Sequence, residues 1–377
     1  MRIAHLSLDE KFIDCAIYQF SLLKGVESVF CVKTELDSLI YIKSPKVRLI
    51  HSLEEIIEFV NNGNFDYIIM HSLWMGPKWV ASLKVPILWC SWGYDIYSDK
   101  SDRIMKPYHM SLYKPKTRLA AEKKVQTLHD KIVVFLRKFG ILSNRQKRFN
   151  NAIRKIPYLS VVLPIEFEYI QKKFPHFKLF PFRYMDPSER IAFVPYTRAT
   201  TSILLGNSLD PTNNHIDILA LLEKKHIRCS VYIPISYPTN LDTYKEHLKA
   251  FASKLKYVSV RFLENFIPKE EYFKIIDECG IAIFGHMRQQ AVGNIYHTFY
   301  SGKKALFYKN SLNYKYFKNF GYKIFSIEDD LTQDILSQPL SEEIQKYNYS
   351  LASSNEDYKT YINKLQVFFD KLSKEGC

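Results

Sequence analysis

The sequence predicts an α/β protein made of two doubly wound, Rossmann-like domains facing each other across a cleft. Three observations carry this expectation. Short β-rich runs alternate with helical patterns twice along the chain, before and after a basic stretch. At 377 residues the chain exceeds one typical core and suits two of ordinary size. A hydrophobic content of 47% and an aromatic content of 15% supply packed interiors for both.

In the first half the strand candidates are RIAHLS (2–7), SVFCVK (28–33), VRLIH (47–51), YIIMHS (67–72) and ILWCSW (87–92), with helical patterns such as LEEIIEFVNN (53–62) between them. After the basic stretch come LSVVLP (159–164), the helix EFEYIQKKF (166–174), and FPFRYMDP (180–187), which reads as a crossover between domains. The second alternation runs through SILLG (202–206), RCSVYIPIS (228–236), SVRFLE (259–264), IAIFGH (281–286), KALFYK (304–309) and KIFSI (323–327). Helices LDTYKEHLKAFASKL (241–255) and EEYFKIIDECG (270–280) lie within it, and a last helix over about 356–374 is expected to pack back on the body. The expected divisions are a first Rossmann-like domain over 1–185, a second over 190–350 and a returning helix over 351–377.

The net charge of +14 is concentrated. Residues 103–155 hold fifteen Lys or Arg against Glu122 and Asp130, and they include KIVVFLRKFGIL (131–142), where apolar and cationic side chains interleave. Such a mixture suits an anionic surface. The six cysteines form no CxxC pair, so a zinc site or a disulfide frame is not expected, and buried thiols in a reducing cytoplasm are. No apolar run reaches the roughly 18 residues of a membrane span. MRIAHLSLDEKF carries Asp9 and Glu10 where a signal peptide needs its apolar segment, so export is not expected.

The stretch ILLGNSLDPTNNHIDIL (203–219) begins as a buried strand, breaks at Gly206 and resumes a helical periodicity. Asp210 suits an N-cap and Pro211 a first helical position, because proline lacks the N–H that is unpaired there. Asn207 and Ser208 then fall at the carboxyl end of a strand, where open α/β sheets bind ligands and a helix N-terminus attracts an anion. The Gly-Lys-Ser/Thr ending of a Walker loop is missing. This leaves an ordinary βα turn or a phosphate site as the two readings.

Several stretches resemble one family. WGYDIY (92–97), FRYMDP (182–187), the GNS-D-x-x-N-x-H pattern (206–215), VYIPISYP (231–238) and RQQAVGNI (288–295) are similar to glycosyltransferase family 56, GT-B-type transferases that move 4-acetamido-4,6-dideoxygalactose (Fuc4NAc) from its dTDP conjugate to a lipid-linked intermediate of enterobacterial common antigen. The resemblance implies that Gly206, Asn207, Ser208, Asp210, Asn214 and His215 face the donor diphosphate from one side, and Arg288, Gln289, Gln290 and Gly293 from the other. Arg183 is expected to reach the phosphates from the crossover. Tyr232 and Tyr237 are candidates to frame the nucleoside, with Glu264 on the ribose hydroxyls. No DxD triplet is present and no metal or other cofactor is expected, since a cation and helix N-termini can stabilise the leaving group. Inversion is the expected outcome. It needs a general base, for which Asp95 and His71 are the candidates and His5 and Asp9 the outsiders. The implied partners are a dTDP-sugar, a polyprenyl-diphosphate-linked saccharide and the anionic inner membrane surface, with no nucleic acid. The implied location is cytoplasmic and peripheral to the membrane. Two alternatives stand beside this: a GT-B transferase using another nucleotide sugar for capsule or O-antigen, and a non-catalytic binder of an anionic polymer or lipid.

Overall fold

The computed structural model describes residues 1–97, 112–121, 144–185, 192–238, 240–354 and 357–375. They form two compact units, one drawn from Met1–Tyr108, Lys131–Pro187 and Glu356–Cys377, the other from His109–Asp130 and Ser188–Asn355.

Unit 1 contains β1 (Arg2–Leu8), β2 (Glu27–Lys33), β3 (Val47–Ile50), β4 (Tyr67–His71), β5 (Ile87–Cys90), β6 (Tyr158–Ser160) and β7 (Lys178–Leu179), all parallel in the order β3-β2-β1-β4-β5-β6-β7. The strand order reverses between β1 and β4. At that switch point the connections leave in opposite directions and open a crevice beyond the strands' carboxyl ends. Helices start where the sequence supplies caps: the Ser52 side chain accepts from Glu55 N ahead of Leu53–Asn62. Pro164 begins a helix, with Glu166 accepting from Leu163 N, so the strand expected over 159–164 ends at Ser160. β7 lies between the expected helix over 166–174 and the expected crossover over 180–187, where no strand is expected. The helix Tyr358–Glu375 buries Tyr361, Leu365, Phe369 and Leu372 in the cluster formed by Ile3, Phe20, Phe30, Phe180 and Phe182 of this unit.

Unit 2 contains β8 (Ser202–Leu205), β9 (Cys229–Pro234), β10 (Val258–Leu263), β11 (Ile281–Phe284), β12 (Lys304–Phe307) and β13 (Phe325–Ser326), parallel in the order β10-β9-β8-β11-β12-β13. Its alternation is explicit. Ile203, Leu205, Val231, Ile233, Ile281, Ile283 and Leu306 project to one face and pack with Leu219, Leu222 and Leu248. Leu204, Tyr232, Ala282, Phe284, Ala305 and Phe307 project to the other and meet Ile276, Ile295, Phe299 and Phe317. A parallel sheet covered on both faces needs near-continuous apolar strands, and each buried Leu, Ile or Phe contributes about 1.5–3 kcal/mol.

One boundary differs from expectation. Residues 112–121 sit in unit 2, not in the first domain. Asn214 Oδ1 accepts Lys114 N at 2.6 Å and Asn214 Nδ2 donates to Leu112 O at 3.1 Å. The Asp217 carboxylate accepts Lys116 N and Thr117 N at 3.0 and 2.7 Å, capping the helix Pro115–Ala121. These polar ties have no hydrophobic periodicity to announce them. Most of the basic stretch, including 131–142, lies outside the described residues. Among the described residues no helix is long and apolar enough to cross a membrane.

The switch point of unit 2 lies between β8 and β11, and glycine at its two exits is dictated by space. Gly206 has φ +71°, and a Cβ there falls on the Asn213 side chain; a Cβ on Gly285 falls on the Asn213 carbonyl and Ile218. Gly206→Ala is therefore expected to cost about 1–3 kcal/mol through backbone strain and displacement of Asn213. A thermal unfolding midpoint equal to the parent's would show that the turn is unconstrained.

Candidate functional site

The turn after β8 is a web of side-chain hydrogen bonds. Asp210 caps as the sequence suggests, its carboxylate accepting Thr212 N and Thr212 Oγ1 at 2.9 and 2.7 Å, with Pro211 next. What it caps is a single 3-10 turn, Pro211–Asn213, and the α-helix begins only at His215, after Asn214 at φ +54°. Asn213 explains the delay. Its Nδ2 donates to Ser208 O and Asp210 O at 3.1 and 2.8 Å, and its Oδ1 accepts Asn207 N at 3.0 Å and pairs with His286 Nε2 at 2.7 Å. Asn213 thus joins the turn after β8 to the one after β11. Sequence reasoning singles out Asn214 and not Asn213, although the family pattern contains it.

The same web corrects four donor assignments. Asn214 is fully buried, with its amide spent on Lys114 N, Leu112 O and Gly285 O. His215 is fully buried against the Tyr244 hydroxyl at 3.1 Å. Ser208 is buried, its Oγ accepting from Asn213 Nδ2. Gly206 is required by the Asn213 side chain. These residues shape the site from inside the framework. Two more lie away from it. Tyr232 is buried in the core, its hydroxyl accepting from Arg261 at 3.3 Å. Glu264 is held on the surface by Lys249 and Lys245 at 2.6 and 3.0 Å, whose hydrogen bonds keep its carboxyl below the usual range. Arg183 belongs to unit 1, where its guanidinium lies 5.3 Å over the Tyr361 ring and its carbonyl accepts from the Tyr361 hydroxyl at 2.8 Å.

The residues that remain converge. Gln290 Nε2 donates to Asn207 Oδ1 at 3.0 Å while Gln290 Oε1 accepts from Thr212 Oγ1 at 2.6 Å, lacing the two turns together. Asn207 Nδ2 donates to the Tyr237 hydroxyl at 3.3 Å, and Tyr237 is 41% exposed. Asn313 Nδ2 donates to Gln290 O at 3.0 Å, a support with no sequence signal. Arg288 is only 8% exposed, yet its one hydrogen bond among the described residues runs to Gln289 O at 3.0 Å, and no carboxylate pairs with it. Beside it the Gln289 Oε1 is buried without a partner. The helix Val292–Tyr300 follows Ala291, which is left-handed at φ +60° and gives no side-chain cap, so its first amides are unsatisfied. A Cβ on Gly293 meets nothing within 4 Å. A nearly buried guanidinium with no carboxylate partner among the described residues, in the turn that leads into a helix N-terminus, has the chemistry that attracts an anion.

In unit 1 the two candidate bases lie at the sheet's carboxyl edge but inside it. Asp95 has no exposed surface; its Oδ2 accepts Leu73 N and Trp89 Nε1 at 2.8 and 2.7 Å, and its Oδ1 accepts Trp92 N at 2.9 Å. Burial raises its pKa against the opposing pull of those donors. It braces the turns after β4 and β5, and with every oxygen engaged it has no face for an acceptor hydroxyl. His71 is likewise buried, its Nδ1 accepting from the Tyr184 hydroxyl at 2.6 Å and its Nε2 facing His5 Nδ1 at 3.1 Å. His5 continues to Ser28 Oγ at 3.2 Å. Tyr184, which also accepts from Trp92 Nε1 at 2.8 Å, is the outer end of this chain. Asp9 is consumed by Ile40 N, Tyr41 N and Ile42 N at 2.5, 3.1 and 3.0 Å.

Two parallel-sheet α/β units of this kind are the architecture of the GT-B glycosyltransferases. The model of the family described as 4-alpha-L-fucosyltransferase, glycosyl transferase group 56, matches residues 159–355, more than half of the chain. The protein belongs to that family. Its fold is similar to that of a glycosyltransferase from Rickettsia africae, at 11% identity and a TM-score of 0.58 over 99% of this chain and 98% of that one. It is also similar to Anabaena HepE, solved in complex with UDP and glucose, at 12% identity and a TM-score of 0.59 over 99% and 100%. WaaG, a glycosyltransferase involved in lipopolysaccharide biosynthesis, matches at 12% identity and a TM-score of 0.54 over 97% and 99%.

The buried histidines make stability depend on pH. Burial lowers His5, His71, His215 and His286 below 6.5, His71 and His215 to about 3. Unfolded chains protonate near pH 6.5, so below it the unfolded state binds more protons; the stabilisation is complete above pH 6.5 and is lost as pH falls towards the folded values. The free energy of unfolding is expected to drop between about pH 7 and about pH 5, by up to about 1.4 kcal/mol per histidine per pH unit. His71→Gln should flatten the slope in thermal melts; an unchanged slope would exclude His71 as a contributor.

Proposed function

We propose that unit 2 binds the diphosphate of a nucleotide sugar at the β8/β11 switch point and that the enzyme transfers the sugar to a lipid-linked saccharide. The observation that carries this reading is Arg288, a nearly buried cation with no carboxylate partner among the described residues. Its planar fork matches phosphate oxygens bidentately, and the uncapped helix Val292–Tyr300, which begins shortly after it in the chain, offers amide donors. As the glycosidic bond breaks, negative charge grows on the leaving diphosphate, and fixed donors in a dry site stabilise that charge more than the ground state. In this reading the cation and helix terminus take the place of a metal ion. The Gln289 side-chain amide supplies a further contact, and the Tyr237 ring, set by Asn207, stacks on the nucleoside base.

The family resemblance supports dTDP-Fuc4NAc as donor, a polyprenyl-diphosphate-linked saccharide as acceptor, inversion at the transferred carbon and peripheral association with an anionic membrane face. The UDP complex of a structural relative keeps a second reading in view, a different nucleotide sugar. A panel of dTDP-, UDP- and GDP-sugars with mass-spectrometric detection of product, run with and without chelator, separates these. Activity with chelator present is the expected result, and its loss would overturn the metal-free mechanism.

Two substitutions test the anion site. Arg288→Ala is expected to keep the fold and lose about 2–4 kcal/mol of transition-state stabilisation in kcat/KM. Gly293→Ala is expected to leave the unfolding midpoint equal to or above the parent's, because open space receives the methyl and alanine favours the helix, while weakening nucleotide diphosphate binding. Unaltered nucleotide affinity in both variants, measured calorimetrically, would remove the diphosphate from this place.

A further inference from the structure

We propose that Glu10 is the general base for the acceptor hydroxyl, and that Phe12, Trp92 and Tyr184 form the aromatic floor on which the acceptor sugar lies. The inference rests on the transferase reading above and adds to it the residue that takes the proton. In the turns that follow β1, β4 and β5, the strands at and beside the switch point of unit 1, the described carboxylates are Asp9, Glu10 and Asp95, with Asp14 in the first turn of the helix Ile13–Ser21. Three are spent on framework. Asp9 and Asp95 are saturated as described, and Asp14 accepts Lys43 N and Ser44 N at 2.8 and 3.1 Å. Glu10 is half-buried and its carboxylate makes no hydrogen bond or ion pair among the described residues.

The turn that carries it is fixed on both sides. Asp9 is pinned to the backbone of Ile40, Tyr41 and Ile42, and Glu10 O accepts Ile13 N at 3.3 Å where the next helix begins. The backbone that carries Glu10 is thus fixed while its carboxylate is not used by the framework, which leaves that carboxylate to act on a ligand. Partial burial pushes the Glu10 carboxyl up, helped by the Asp9 charge and opposed by Lys11, which brings it closer to the range a base needs.

Two residues along, Phe12 is 49% exposed and its ring lies 5.7 Å from Trp92 and 5.7 Å from Tyr184, which are 5.4 Å apart. The Tyr184 hydroxyl is locked between His71 and Trp92, so this floor is rigid. Aromatic faces hold the C–H face of a sugar while leaving its hydroxyls at the edge. In the transfer step the Glu10 carboxylate takes the acceptor hydroxyl proton and the freed oxygen forms the new bond to the sugar's anomeric carbon. The bond from that carbon to the diphosphate breaks, leaving the nucleoside diphosphate with the electron pair, and Glu10 returns its proton to water.

The test is transfer by Glu10→Gln and Phe12→Ala, each compared with the parent across pH for kcat, acceptor KM and nucleotide affinity. Glu10→Gln should lower kcat about 10²- to 10⁴-fold with unchanged nucleotide affinity and unfolding midpoint, and the acid limb of the pH profile should vanish with it. Phe12→Ala should raise acceptor KM about 3- to 10-fold and leave donor KM alone. Transfer by Glu10→Gln within about threefold of an active parent, or an acid limb that persists in it, overturns the assignment of the base and leaves the transferase reading standing. A parent that transfers from no nucleotide sugar overturns both.

Discussion

The binding edge of unit 2 depends on the side chain of Asn213. Adjacent strands of a doubly wound sheet part company at the switch point, and two turns leave it with unpaired amides and carbonyls. Backbone alone cannot pair these groups, because the turns run apart, and a buried polar group left without a partner costs about 1–3 kcal/mol. One primary amide solves this, with its oxygen facing Asn207 N and His286 and its nitrogen facing Ser208 O and Asp210 O. The glycine at 206 follows from the space this side chain occupies, and the glycine at 285 from the Asn213 carbonyl and Ile218 beside it; the left-handed Asn214 and the delayed start of the helix His215–Lys224 come directly after.

Once that framework is satisfied, what stays unsatisfied acquires meaning. The amides at the start of Val292–Tyr300, the Gln289 oxygen and the Arg288 guanidinium all belong to the turn after β11 and the helix it leads into. The fold spends Asn213, Asn214, Gln290 and Asp210 on internal bonds yet gives the nearly buried Arg288 no carboxylate among the described residues, which is the imbalance the proposed diphosphate would correct.

Unit 1 shows the converse. Its most conspicuous acids and histidines at the sheet edge have been drawn into the scaffold. Asp95 stitches two turns to an indole, Asp9 and Asp14 hold the backbone of residues 40–44, and His5 and His71 form a buried chain ending on Tyr184. In the turns after β1, β4 and β5, the carboxylate left with free lone pairs among the described residues is Glu10, next to the saturated Asp9.

The sequence by itself determined the strands, their parallel alternation and the two exits of the unit 2 switch point, because period-two apolar runs, Gly206, Pro211 and Arg288 are local signals that burial and backbone sterics write directly into residue choice. The family was legible in the spacing of GNS and RQQ, which survives because both turns must meet one web. Only tertiary structure decided which polar residues are scaffold and which are free. Asp95 and Glu10, or Asn213 and Asn214, are equivalent on paper; hydrogen-bond saturation separates them, and it depends on amides more than twenty residues away, such as Leu73 N for Asp95 and Lys114 N for Asn214. The same holds for residues 112–121, whose place in unit 2 rests on two side chains a hundred residues downstream, a distance at which no local pattern reports.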